Sequence, residues 1–185
     1  MSHLIDRPSR CCALLFLVGF LCLAVPFAPA EVRLPSVISS NMVLQHDMKA
    51  PLWGWAGPGE RIEIMGSWGG TGVTVEAGAD GRWRAALETP GPGGPYQVTI
   101  KGKDEVTLQN VMIGEVWLCS GQSNMEMPIG DVLGFLGVLN FEEEAKAANY
   151  PDIRFFNVAN ACQAAPQADC SGQWRACTPE SAWGF

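Results

Sequence analysis

The chain has 185 residues, of which 19 are acidic and 12 are basic, and its formal net charge is −7. Lysine and arginine form no cluster, so we expect no nucleic-acid partner, because phosphate binding relies on those side chains. The two histidines and seven cysteines show no spacing typical of a zinc site. We therefore expect neither a bound metal nor another cofactor.

The first thirty residues have the pattern of a signal peptide. Arg7 and Arg10 precede an apolar run, 11–25, and small residues follow at 28–30. The run is shorter than the roughly 20 residues that a membrane-spanning helix needs. We therefore expect cleavage near Ala30, no stable membrane span afterwards, and a secreted or periplasmic protein. The alternative is an N-terminal anchor that is never removed.

Residues 31–110 have the pattern of a β domain. Short β-rich segments alternate with turns, and several of them place apolar residues at every second position. Asp80-Gly81 indicates a hairpin turn, and the proline- and glycine-rich stretch 88–96 indicates a loop. Seven strands at this spacing are typical of a β-sandwich. The predicted strands are 42–44, 52–55, 62–65, 73–75, 83–87, 96–100 and 106–108.

The pattern changes after residue 110. The apolar run 111–119 predicts a strand buried on both faces, with Cys119 in the core. An amphipathic helix is predicted over 138–149 and a second strand over 153–158. Strand, helix and strand form a βαβ unit, so residues 111–185 predict the first part of an α/β domain.

Two features near the C-terminus bear on completeness and on disulfides. Thr178-Pro179-Glu180 predicts a helix start, yet the sequence stops at Phe185, and so short a helix is marginal alone. We therefore expect a truncated chain, the N-terminal part of a longer protein; the alternative is a small domain with a frayed end.

Cys162 and Cys170 flank a polar loop, and export permits a disulfide between them.

The stretch "SGQSN", residues 120–124, permits two interpretations of Ser123. In the first, Ser123 caps a helix and Glu126 reaches back to it, as in the capping box S-x-x-E. In the second, Ser123 is a nucleophile. It would follow a buried strand, with Gly121 allowing a tight turn, at the strand end where open α/β sheets place their sites. Free N–H groups there would stabilise an oxyanion, although the pattern is not G-x-S-x-G.

A family resemblance favours the second interpretation. "GEVWLCSGQSNMEMP" resembles the first conserved block of the sialate O-acetylesterase family, within the SGNH-type hydrolase superfamily. The resemblance implies a β-sandwich over 31–110, followed by the start of an SGNH-hydrolase-like, flavodoxin-like three-layer α/β domain over 111–185. Three further segments are similar to the family: "LPSVISSNMVLQHD" at 34–47, "PDIRFFNV" at 151–158 and "CTPESAWGF" at 177–185.

The resemblance also implies a chemistry. Ser123 would be the nucleophile and a backbone oxyanion donor, Gln122 and Asn124 would shape the pocket, and an O-acetylated carbohydrate would be the partner. The family places its acid and histidine near the C-terminus, in blocks absent here. His46, the single histidine after residue 30, is expected at a strand end or on the surface. A serine nucleophile needs a base, so we expect the chain alone to be inactive.

Two alternative functions remain open. One is an acetyl esterase of the acetylxylan type, acting on plant polysaccharide. The other is a non-catalytic carbohydrate-binding module, which tryptophans on an exposed sheet face would support. We interpret those tryptophans instead as core residues of the β domain; they are Trp53, Trp55, Trp68 and Trp83.

Overall fold

The computed structural model describes residues 31–130, 134 and 137–185, so the predicted signal peptide lies outside the described part. Within those ranges no helix is long and apolar enough to cross a membrane. The strands are β1 Val43–Gln45, β2 Lys49–Trp55, β3 Arg61–Gly66, β4 Val73–Glu76, β5 Arg82–Glu88, β6 Gly93–Lys101, β7 Glu105–Gly114, β8 Tyr150–Phe156 and β9 Trp174–Cys177. The helices are α1 Phe141–Ala147 and α2 Pro179–Trp183, preceded by a 3₁₀ turn at Ser123–Met125.

The first seven strands form a mostly β structure around one core. Five strands make a sheet in the order β1-β7-β6-β3-β4, and β2 pairs with β5 in a second sheet. Buried and exposed residues alternate strictly along β3 and β5, as the period-two pattern predicted. Side chains from both sheets pack in a single buried cluster. Its most deeply buried members are Met42, Leu52, Ile62, Ile64, Val98, Ile100 and Val111.

The predicted loop 88–96 is shorter in the structure. β5 continues to Glu88, and β6 begins at Gly93, so the interpretation of 93–96 as loop is wrong. β6 accommodates its glycines and proline by register shifts against β7 on both sides of Tyr96. Bulges of this kind let residues that disfavour regular strands remain in a sheet.

β7 is one ten-residue strand, Glu105–Gly114, and it contains the predicted junction between residues 110 and 111. The strand predicted over 111–119 is correct only as far as Gly114. Beyond it the chain leaves the sheet, and Trp117 and Leu118 are 83% and 92% exposed. Cys119 is also exposed, so its predicted place in the core is wrong. An apolar run does not specify its neighbours, and within the described ranges no strand pairs with 115–119.

The second part of the chain has the predicted helix and strand but a different pairing. α1 lies within the predicted 138–149, with Ala145 and Ala148 buried. β8 pairs antiparallel with β9 and not with β7, so the parallel βαβ unit is not formed among the described residues. The reason is β9 itself, a strand that the sequence pattern did not predict. α2 starts as predicted, in a capping box between Thr178 and Ser181.

The connection from β8 to β9, residues 157–173, ties the second part to the β sheets. The indole N–H of Trp53 donates to the Ala168 carbonyl at 3.3 Å. At the start of β9, the Trp174 indole N–H donates to the Val37 carbonyl at 2.8 Å. These bonds join segments more than one hundred residues apart in sequence. The position of β8 and β9 is therefore set partly by the first sheets.

The same connection contains Cys162 and Cys170. Both are free thiols in the structure, so the predicted disulfide between them is not formed. Burial, and secondarily the neighbouring Asp169 carboxylate, raise the pKa of the Cys170 thiol. A raised pKa disfavours the reactive thiolate.

Three of the four tryptophans of the β domain lie in the core or pack against it, as interpreted, whereas Trp55 does neither. Trp83 is 3% exposed, and Trp53 and Trp68 pack against the core. Trp55 is half-buried beneath the Arg33 guanidinium, which lies 4.1 Å from the ring centroid.

Candidate functional site

Ser123 lies in a tight turn outside the sheets. The Met125 N–H donates to the Gln122 carbonyl at 2.8 Å, and the Glu126 N–H donates to the Ser123 carbonyl at 3.1 Å. A Cβ added at Gly121 would lie 2.6 Å from Met125 Cγ, so the glycine lets the Met125 side chain approach closely. The glycine therefore permits the tight turn that the sequence indicated.

The capping interpretation of Ser123 is wrong. The residue before the turn, Gln122, occupies the cap position, and no side chain caps the turn. The Glu126 carboxylate does not reach back to Ser123; it accepts a hydrogen bond from the Asn160 side-chain amide. The turn is a single 3₁₀ turn, so the helix whose dipole was expected to favour negative charge is not present at Ser123.

The turn nevertheless exposes a serine together with backbone N–H groups, and an acyl-transfer site uses groups of both kinds. Gln122, Ser123 and Asn124 are consecutive and exposed. In the part of the chain that the structure describes, the N–H groups of Ser123 and Asn124 have no protein acceptor. An oxyanion that forms beside the Ser123 hydroxyl can therefore accept from these groups without displacing another bond.

Contacts from later segments hold the chain that follows the turn. The Ile129 N–H donates to the Phe185 carbonyl at 2.9 Å, and the Gly130 N–H donates to the Trp183 carbonyl at 2.9 Å. With the bond from Asn160 to Glu126, the end of β8 and the end of α2 both reach this stretch. Sequence reasoning missed Asn160, and no local pattern marks it, because the contact joins residues 34 positions apart.

A cluster around His46 fixes the point where the chain leaves β7. The His46 ring lies 2.7 Å from Asp47 through Nδ1 and 2.8 Å from Glu115 through Nε2. The Gln45 amide donates to Glu115 and accepts from the Val116 N–H. His46 directly follows β1, as expected of a strand-end residue. Both ring nitrogens are engaged by carboxylates, so neither is left to take a proton from Ser123.

The contributions of His46 and Glu115 to stability change with pH in opposite directions. The hydrogen bond to Asp47, followed by that to Glu115, raises the pKa of His46 above its ordinary value of 6.5. The bond to His46 lowers the pKa of Glu115 below its ordinary value of 4.5. The His46 contribution to stability is complete below pH 6.5 and is lost as pH rises through the raised pKa. The Glu115 contribution is complete above pH 4.5 and is lost as pH falls through the lowered pKa.

We therefore expect Glu115→Gln to lower the pKa of His46 toward its ordinary value, and Asp47→Asn to lower it further. The larger effect at Asp47 follows because its hydrogen bond is the leading cause of the raised pKa. Proton NMR titration of the imidazole in a His3→Gln background measures this from one histidine. Glu105→Gln, an exposed change at the opposite end of β7 from Glu115, is the matched control. An unchanged His46 pKa in both test variants would contradict the cluster.

A half-open pocket of about 400 Å³ lies between β8, β9 and α2. Phe155 stacks on Phe185 along one wall, with ring centroids 4.0 Å apart. Polar groups of Arg175, Gln173 and Asn157 complete the lining. The pocket borders the chain that follows the Ser123 turn, because Phe185 lines the pocket and its carbonyl accepts from the Ile129 N–H. Sequence reasoning missed this pocket, since β9 was not predicted.

The chain was compared with known proteins. No family model matches it. The sialate O-acetylesterase of Rattus norvegicus is 32% identical over 151 residues, which are 76% of this chain and 27% of that protein. The human sialate O-acetylesterase is 32% identical over 139 residues, which are 69% of this chain and 25% of the human protein. The chain belongs to the sialate O-acetylesterase family.

A solved structure agrees with membership of this esterase family. A carbohydrate acetylesterase from Xanthomonas citri superposes with a TM-score of 0.75 at 34% identity, over 84% of this chain and 34% of that one. The chain thus spans about a quarter of the length of the curated sialate O-acetylesterases and a third of the solved structure.

Proposed function

We propose that this chain carries the nucleophile of a serine esterase that removes O-acetyl groups from sugars, with O-acetylated sialate as the substrate. The observation that carries the proposal is an exposed Ser123, on a turn with free N–H groups, in a chain of the sialate O-acetylesterase family. The names of the rat and human relatives and of the bacterial acetylesterase all support sugar deacetylation.

The proposed mechanism begins with attack of Ser123 Oγ on the acetyl carbonyl carbon. The negative oxygen of the tetrahedral intermediate accepts a hydrogen bond from the Ser123 N–H. Gln122 and Asn124 flank the nucleophile and orient the acetyl group. The sugar leaves as its alcohol after gaining a proton, and water then releases acetate from the acetyl-enzyme.

The proton must go to a base that these residues do not supply. His46 is held by two carboxylates, and no histidine follows Ser123 in the sequence. We propose that the acid and histidine lie in a segment outside these 185 residues.

The proposed architecture is a β-sandwich followed by the start of an SGNH-like α/β domain that this segment completes. The proposed location, after signal cleavage near Ala30, is secreted or periplasmic.

We expect the chain alone to hydrolyse p-nitrophenyl acetate poorly or not at all. Grafting residues 31–185 onto the Xanthomonas citri acetylesterase, in place of its matching segment, should restore activity by supplying the missing partners. Release of acetate from O-acetylated sialate by the chimera tests the substrate directly. Ser123-dependent turnover by the chain alone, well above the residual catalysis of an oxyanion hole, would refute the need for an outside base.

A second candidate substrate is acetylated plant polysaccharide, which the broader name of the bacterial relative, a carbohydrate acetylesterase, also covers. Parallel assays of the chimera on acetylated xylan and on O-acetylated sialate distinguish the two. Faster release from xylan would reassign the substrate and leave the role of Ser123 intact. The carbohydrate-binding module is less favoured, because the β-domain tryptophans are buried or half-buried.

A further inference from the structure

The pocket between β8, β9 and α2 combines an aromatic wall with a cationic group that has no anion. Arg175 is paired with Phe155 across the two strands, and its exposed side chain lines the pocket together with the two stacked rings. With the Gln173 amide oriented to satisfy both groups, its oxygen accepts from Arg175 Nε at 2.9 Å and Nη2 at 2.7 Å. None of the ion pairs within the described ranges involves Arg175.

This arrangement leaves the guanidinium oriented but not neutralised. An arginine carries five N–H donors, and Gln173 takes up two of them. The remaining donors form a planar fork that matches a carboxylate. Asn157 and Ser181 add polar groups at the pocket edge, and the phenylalanines supply the apolar surface that small-molecule pockets use for most of their contact area.

The pocket also adjoins the segment that follows the proposed catalytic turn. Phe185 lines the pocket and bonds Ile129 through its carbonyl. Asn157 lines it as well, three residues before Asn160, whose amide bonds Glu126. A sugar held here would therefore lie against the segment that follows Ser123.

We propose that this pocket is a subsite for the carboxylate of an acidic sugar, with Arg175 as its anchor. The inference rests on the proposed function, and it assigns residues of this chain to the carboxylate of that substrate. Sialate and a hexuronate present the same carboxylate beside an apolar ring face. Arg175 would position either of them and take no part in the acyl transfer.

Direct binding to the 185-residue chain tests the subsite without turnover. We expect N-acetylneuraminate to shift the amide signals of Gly172 and Gly184 in two-dimensional NMR, and to bind about tenfold more tightly than its neutral methyl ester. The same titration is repeated with glucuronate. If both acids bind, the carboxylate is the group that the pocket recognises. If only one acid binds, that acid is the sugar that the pocket accepts.

Substitutions test whether Arg175 causes the preference for the acid over the ester. Arg175→Gln should remove the preference for the acid over the ester, and Arg175→Lys should keep part of it, because the charge remains without the planar fork. Arg61→Gln removes the same charge from β3 and should leave binding unchanged. The subsite is overturned if no shift occurs, if acid and ester bind equally, or if Arg61→Gln weakens binding as much as Arg175→Gln. The comparison of acid and ester uses the parent chain, so it holds even if a variant misfolds.

Binding and catalysis can fail separately. Ser123→Ala should bind N-acetylneuraminate as tightly as the parent, because the subsite does not include the nucleophile. Binding that persists beside an inactive chimera would refute the proposed function alone. An active chimera that shows no preference for the acid would refute the subsite alone.

Discussion

Replacement of Ser123 by alanine in the chimera lowers kcat for acetyl-ester hydrolysis by about 10³- to 10⁶-fold, as expected for a catalytic serine. The physical reason is that the acetyl group has no other acceptor on the turn. The neighbouring side chains of Gln122 and Asn124 are amides, which do not act as acyl acceptors. KM should change little, because the hydroxyl contributes to the transition state more than to ground-state binding.

The same pentapeptide offers a matched control for this experiment. Ser120 is also exposed and lies three residues before the nucleophile, but it precedes the turn whose N–H groups are free. We expect Ser120→Ala to retain kcat within about threefold, as for a residue that makes no transition-state contact. Full activity in Ser123→Ala would refute Ser123 as the nucleophile. Loss of activity in Ser120→Ala alone would assign the nucleophile to Ser120 instead. Mass detection of an acetyl group on Ser123 after rapid quenching would identify the intermediate.

Replacement of Trp83 by alanine lowers the free energy of unfolding by about 3–5 kcal/mol, the range for removing a buried aromatic side chain. Trp83 is 3% exposed and belongs to the main core cluster. Its ring covers Gly54 on the paired strand, where an added Cβ would lie 2.8 Å from Trp83 Cζ2. Loss of the ring would leave a cavity between β2 and β5. Urea unfolding followed by far-ultraviolet circular dichroism gives the difference.

Trp117 is the matched control for this measurement. It is 83% exposed, so Trp117→Ala should change the free energy of unfolding by less than about 0.5 kcal/mol. A further outcome separates the two functional classes. If Trp83→Ala left stability unchanged but abolished glycan binding, the β domain would be a carbohydrate-binding module, and its tryptophans would serve ligands. Loss of stability supports the structural role that burial assigns to Trp83.

Local patterns were sufficient for much of the fold and for locating the proposed nucleophile. Period-two alternation predicted the strands of the β part, because each strand has one face against the core. Hydroxyl, proline and acid at Thr178–Glu180 predicted the start of α2, because capping acts within one helical turn. The block around Ser123 identified the family, since it combines several unusual residues in a short span.

What the sequence alone did not determine depends on which distant segments meet. The apolar run 111–119 predicted a buried strand, but burial requires neighbours, and the chain leaves the sheet after Gly114. β9 and the Arg175 pocket arise from a pairing with β8 across a long connection, which no periodicity encodes. Likewise, a capping box and a catalytic turn share the pattern at Ser123. The contact of Glu126 with Asn160 excludes the capping box, and the sequence could not show it, because hydrogen bonds between distant residues form only when the chain has folded.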